Sequence, residues 1–321
     1  MTLRNSIFAV SGNASFLDAR RDMSGLFVCD KTTMLPIAGI LDRSQGNLVT
    51  GNSNSMSVTV HPFNAVLNRY GALLIQNDGD VKVPLNAAPS ANSRIDVVYV
   101  KQHETRPPMS DDSDFPVFGV AHGVAAATPV APGVPDGALA LAQVLLPAGV
   151  SNTAAAGVVI TQTYIGAAMK GDMLRVQTSE QRDALTGVPE GTLLHDVSDN
   201  CDYVRTPSSK WAKTRDTIGV KLPWTSDIAW LSREWDTVIV SGSVKFTGSA
   251  QQNHIEAKET IPAGWRPYGD NHTAISYGSI IASNVNWCNF VRPDGAIIML
   301  GDTNAAYSGV TGGWLCREWR A

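Results

Sequence analysis

Arg94-Ile95-Asp96-Val97-Val98-Tyr99-Val100 is the stretch on which the fold class turns. Its β-branched and aromatic residues fall near a two-residue alternation, the period of a strand with one buried face. Working outward, Ser57-Val58-Thr59-Val60 repeats the pattern, and Ala138 to Pro147 reads as a further strand. Ala72-Leu73-Leu74-Ile75 and Val81-Lys82-Val83 flank Gln76-Asn77-Asp78-Gly79-Asp80. Asp-Gly tolerates positive φ, so this spacing predicts a hairpin. Glu104 to Asp114, with Pro107-Pro108, is a polar loop, and Thr128 to Gly137 carries three prolines. Prolines remove backbone donors and hold the preceding residue extended, so the second segment is neither helix nor central strand.

The 321 residues suit two or three domains. Residues 1–165 contain no Trp and read as an N-terminal antiparallel β domain. Residues 166–215 are more charged. There Ser179 to Leu185 predicts a short helix capped by Thr178 or Ser179, and Gly191 to Val204 a hairpin around Ser198-Asp199-Asn200. Together they make a small α/β neck module. Residues 216–321 hold seven of the eight Trp residues. Strand-like runs at Thr237 to Phe246, Ala274 to Ile281 and Gly295 to Leu300 are separated by turn signals such as Arg292-Pro293-Asp294-Gly295 and Gly312-Gly313. This zone predicts a C-terminal β-sandwich or barrel head. The chain as a whole is expected to be mainly β and multi-domain.

Composition narrows the function. Charged residues make up only 17% of the chain, below the ~25% usual for soluble domains. A surface so poor in charge relies on Ser, Thr, Asn and Gly, as extracellular and virion β-proteins do. The net charge of −4 offers no electrostatic footprint for nucleic acid. Met1 to Phe16 lacks the apolar core of a secretory signal, and Gly137 to Val150 is broken by Gln143 and Pro147, too short to span a bilayer. Synthesis in the cytoplasm without a signal peptide, and no membrane insertion, are therefore expected. Cys29, Cys201, Cys288 and Cys316 read as buried free thiols, with a Cys288–Cys316 bridge left open to geometry.

Nucleophile elbows, zinc-protease helices, phosphate loops and dinucleotide fingerprints are absent from the sequence. His61, His103, His122, His195, His254 and His272 stand apart, so neither a metal nor any other cofactor is expected. Glu256, Glu259, Asp270, Asp294 and Asp302 leave a glycosidase pair arithmetically open, but turn chemistry accounts for Asp294. A non-enzymatic binding protein is the better reading. Two aromatic and polar stretches of the head are the candidate ligand contacts: Trp265, Arg266, Tyr268, Asp270 and His272 in one, Asp302, Asn304 and Tyr307 in the other. Aromatic rings stack on sugar faces while neighbouring polar groups hydrogen-bond the hydroxyls. Trp235 and Trp287, in strand-like surroundings, are weaker candidates, and a Trp in a small sandwich commonly serves the core or a subunit interface.

Ser93 to Val100, Gly119-Val120-Ala121-His122-Gly123, Pro129, Pro132 to Pro135 and Ala138 to Gly149, in that order, resemble the N-terminal region of siphophage and prophage baseplate or tail-fibre proteins. Thr260-Ile261-Pro262-Ala263-Gly264-Trp265-Arg266-Pro267, followed by Pro293-Asp294-Gly295, is similar to the head domains of such fibres. The resemblance implies a virion tail protein whose N-terminal part docks to other tail or baseplate proteins. Its head would bind a host cell-surface saccharide, commonly as a homotrimer. Residues 216–321 hold more apolar bulk than a small core hides, which agrees with a homo-oligomer. The alternatives are a structural baseplate adaptor without a receptor site and, behind it, a polysaccharide depolymerase.

Overall fold

The computed structural model describes residues 15–42, 46–247, 252–269, 278–283, 287–301 and 307–317. The chain divides into two compact units, Met1–Asn200 and Cys201–Ala321. It is mainly β, with several sheets and few helices, as the alternating patterns predict. The segment 166–215, expected as a neck, is shared between the two units. Its first part belongs to the N-terminal unit because Gly166 bridges both Ile40 and Arg175.

The first unit opens with α1 (Phe16–Ser24), a helix that the strand-rich reading of this region did not anticipate. Its signal is a capping box: Asp18 N–H donates to Ser15 Oγ at 3.2 Å, and Ser15 N–H donates back to Asp18 Oδ2 at 2.9 Å. Six strands follow: β1 (Gly39–Ile40), β2 (Val49–Gly51), β3 (Ser57–Val60), β4 (Phe63–Asn68), β5 (Ala72–Asn77) and β6 (Val81–Pro84). The hairpin expected across Asp78-Gly79 does not form. β5 pairs with β4 in the sheet β1-β4-β5, whereas β6 pairs with β3 in the sheet β2-β3-β6. The chain thus changes sheets between β3 and β4 and again between β5 and β6. His61 Nδ1, 2.8 Å from Asp80 Oδ1, and Asn77 Nδ2, donating to His61 O at 3.0 Å, tie these two crossings together. Val58, Val60 and Val83 of one sheet and Phe63, Ala65 and Leu67 of the other bury in one core, and that burial outweighs the local turn preference.

β7 (Arg94–Gln102), β8 (Pro116–Ala121), β9 (Leu139–Leu146) and β10 (Val159–Gln162) form an antiparallel sheet in the order β10-β9-β7-β8. Gly119 lies opposite Tyr99, where a Cβ would fall 2.3 Å from the ring, so the aromatic demands glycine there. The opening charges of β7 are internal. Asp96 is fully buried and accepts from Arg94 Nε at 3.0 Å and from the Gly123 N–H at 3.0 Å, with His122 Nδ1 3.3 Å away. Arg94 also donates to the Asn86 and Ala87 carbonyls at 2.7 and 2.6 Å, so the pair pins the 86–87 loop to the sheet. α2 (Ser179–Ala184) starts as predicted, its N-cap Thr178 accepting from Gln181 N–H at 3.3 Å, and it joins the parallel strands β11 (Leu174–Val176) and β12 (Leu193–Asp196).

In the second unit β13 (Cys201–Arg205) pairs with β14 (Trp211–Lys213). The remaining strands are β15 (Arg215–Lys221), β16 (Ile228–Glu234), β17 (Thr237–Lys245), β18 (Gln252–Thr260), β19 (Gly278–Ala282), β20 (Trp287–Val291), β21 (Ala296–Gly301) and β22 (Tyr307–Leu315). They make one eight-stranded antiparallel sheet, ordered β15-β16-β17-β22-β19-β20-β21-β18, which curls into a half-barrel. Residues from both halves of the sheet, among them Leu231, Val240, Phe246, Ile280, Trp287 and Ile297, share its core. Phe246 meets Trp287 edge-on with ring centroids 5.0 Å apart. All four cysteines are free. No described helix is long and apolar enough to cross a membrane.

Candidate functional site

β16 and β17 are joined by Trp235-Asp236, a turn closed by the Glu234–Thr237 pair. Trp235 adopts φ +53°, in the left-handed region that L-residues with side chains rarely occupy. Tertiary hydrogen bonds hold it there. Its N–H donates to Thr214 O at 2.6 Å, its carbonyl accepts from Arg233 Nε at 2.6 Å, and Asp236 O accepts from Cys316 N–H at 2.6 Å. Arg233 is 4% exposed and donates further to Gly264 O and, at 3.2 Å, to Cys316 O. The turn is rigid, yet the Trp235 side chain remains half-exposed.

Below this turn lies an open groove of about 640 Å³ on the ends of β15, β16 and β17. Thr217 and Ser232, cross-strand partners, set their hydroxyl oxygens 3.3 Å apart on its floor. Asp216, Glu234 and Asp236 supply three carboxylates against the guanidinium groups of Arg215 and the buried Arg233. A ring face, two hydroxyls and planar acceptors in an open trough suit a ligand rich in hydroxyl groups. Among the described residues the lining holds no His, Lys or Cys, and no group of three or more His, Cys, Asp or Glu is gathered anywhere for a metal ion.

The candidate residues read from sequence fall in different places. Trp265 is 4% exposed and belongs to the core; its carbonyl accepts from Trp314 Nε1 at 2.7 Å. Arg266 Nε donates to Ile261 O at 3.0 Å, and Ile261 N–H donates to Gly295 O at 2.8 Å. The two halves of the head motif are therefore one clasp, with the Pro293-Asp294-Gly295 turn seated on Arg266. Arg292 beside it holds the Asp294 carboxyl below its ordinary range, helped by the Ala296 N–H. Tyr268 is exposed, with the Arg317 guanidinium 4.3 Å from its ring centroid, and its N–H donates to Leu315 O at 2.7 Å. Leu315-Cys316 thus runs between Tyr268 and the Trp235-Asp236 turn. Tyr307, also exposed, starts β22, while Leu315 ends it, roughly 27 Å away at strand rise. The structure does not bring Tyr307 and Tyr268 together. Asp270, His272, Asp302 and Asn304 lie outside the described residues.

In the sequence Trp235 ranks below the two loops because its neighbours look strand-like. A readable signal existed: Ala229 and Leu231 face inward at odd positions, Val238 and Val240 at even ones. That change of phase requires a turn between the two runs. Comparison of the chain with protein-family models, with curated proteins and with solved structures gave no match.

Proposed function

We propose that this chain is a bacteriophage tail-tip protein that attaches the virion to a host-surface saccharide, binding without covalent chemistry. The observation that carries the proposal is the half-exposed Trp235 held rigidly over a groove of hydroxyls and carboxylates, with exposed Tyr268 nearby across the end of β22. The segments that resemble baseplate and tail-fibre proteins support the virion assignment. Three of them build adjacent strands, β8, β7 and β9, and two more close the clasp of the head. A homo-oligomer, with a trimer favoured, fits the exposed apolar residues Ile281 and Leu315, which lie on the sheet's outer face away from the groove lining. Linked copies would gain ~10²–10⁴ in avidity from individually weak sugar contacts.

The test is adsorption of the purified full chain to host cell walls, with Trp235→Ala and Tyr268→Ala as variants. Trp235→Ala should abolish most adsorption and Tyr268→Ala should weaken it. Unchanged adsorption in both variants removes the groove from the account. The same exposed apolar residues favour a second reading, a baseplate adaptor. Full-chain protein that oligomerises yet never adsorbs to susceptible cells would establish it.

A further inference from the structure

We infer that the ligand is an extended, uncharged oligosaccharide that runs along β16 from Trp235 to a second stacking platform at Trp230. This rests on the saccharide reading above and adds the size and charge class of the ligand. Residues 230, 232 and 234 share the outer face of β16, because strand side chains alternate. Read along that face, the order is aromatic ring, hydroxyl, carboxylate and then the aromatic ring of the turn. Trp230 is half-exposed although it sits on a strand between two paired neighbours. Its partner across β15 is Gly219, and a Cβ there would come within 2.6 Å of Ile228 Cγ2 and 3.6 Å of Trp230 Cζ3. The two side chains lean into the space that glycine leaves, which fixes the indole beside the sheet and keeps part of it open. Midway stands the Thr217–Ser232 hydroxyl pair. Trp230 and Trp235 are separated by roughly 16 Å at strand rise, more than one pyranose ring bridges.

Charge sets the second half of the inference. The direct cross-strand neighbours of Trp230 are Gly219 and Ser241, with Thr311 beyond, none of them charged, and Lys221 stands two residues along β15 on the same face. At the Trp235 end carboxylates outnumber guanidinium groups, and the Arg233 guanidinium is occupied by backbone carbonyls. A uronic-acid or sialic-acid polymer would meet a surplus of like charge at the Trp235 end. A neutral glycan meets hydrogen-bonding groups and ring faces throughout.

The experiment measures affinity of the full chain, by calorimetry, for N-acetylglucosamine, its β-linked oligomers of increasing length and uronic-acid oligomers of the same lengths. Neutral oligomers should bind more tightly with length and the acidic series at least ~tenfold more weakly. Trp230→Ala should remove the gain with length, roughly ten- to thirtyfold for the longest oligomer, and leave the shortest unaffected. Trp230→Phe, which keeps a ring face at that position, should retain most of the gain. Trp235→Ala should weaken every length. Length-independent affinity, or Trp230→Ala without effect, overturns the extended site and leaves the saccharide reading standing. Equal or tighter binding of the acidic series overturns the charge class. No binding of any oligomer, or Trp235→Ala without effect, overturns both readings. A fall in assembly mass by sedimentation for Trp230→Ala, with glycan affinity unchanged, assigns this face to a second copy of the chain and overturns the inference.

Discussion

Arg233 Nε donates to the Trp235 carbonyl at 2.6 Å from a position with 4% of its surface exposed. One buried guanidinium therefore fixes the turn that presents the exposed indole. The same group reaches Gly264 O, at the start of the Trp265 loop, and Cys316 O beyond β22. Replacing it with methionine removes the donor from two buried carbonyls, Gly264 O and Cys316 O, and from the part-buried Trp235 O. Arg233→Met should lower unfolding free energy by about 3 kcal/mol or more. Arg233→Lys should recover only part of this, because one ammonium does not span the fork. Urea unfolding followed by Trp fluorescence reads both, and a Lys variant as stable as the parent would refute the fork's role.

Trp235 offers a way to separate binding from folding. At φ +53° glycine relieves the left-handed strain that tryptophan bears. Trp235→Gly should keep stability within about 1 kcal/mol of the parent, since the relief offsets the extra freedom of the unfolded chain. Its saccharide binding should nevertheless be lost. A thermal melt beside a cell-wall adsorption assay checks this, and retained adsorption would count against the groove.

Asp111 contributes to the acid stability of the first unit. Partial burial pushes its carboxyl up, but the Lys101 ammonium at 2.8 Å, the Glu104 N–H at 2.9 Å and the Arg69 guanidinium outweigh that and hold it far below the ordinary carboxylate range. With a depressed folded value, its contribution is complete above the unfolded carboxylate value near ~4 and fades as pH falls below it. That contribution is roughly 2–3 kcal/mol. Unfolding midpoints across acid pH should drop in the parent, while Asp111→Asn should start lower and drop less. Parallel curves would show that the stabilisation lies elsewhere.

The clasp in the head depends on Gly295. It has φ +89°, and a Cβ there would stand 2.5 Å from Ile261 O and 2.6 Å from Arg266 Nε. Gly295→Ala should cost about 3 kcal/mol and depress the melting temperature of the full chain. A melt within a degree of the parent would mean that the clasp relaxes freely.

Alternation alone finds β7, β9 and β17, since Val98 and Val100, Leu139 and Leu141, and Val238 and Val240 bury two residues apart as strand periodicity requires. Thr178 marked α2 because a cap acts on atoms three residues away. What failed were features decided at a distance. Asp78-Gly79 has hairpin chemistry, yet Val83 finds its partner in Val58, and no local rule weighs that choice. Trp235 makes a turn without Gly, Asn or Pro because Thr214 and Arg233 enforce it. Trp265 looked like a ligand contact beside polar neighbours, and only the sheet's curl shows that it fills the core.

β22 lies between β17 and β19, pairing with β17 over nine residues, although it follows every other strand of the sheet in the chain. A ribosome must therefore release residue 315 before the middle of the half-barrel exists. Until then β17 and β19 each present an unpaired edge open to neighbouring chains. A message cut short upstream of residue 307 leaves β17 and β19 without the strand that joins them. Intact length is thus a condition for a continuous half-barrel.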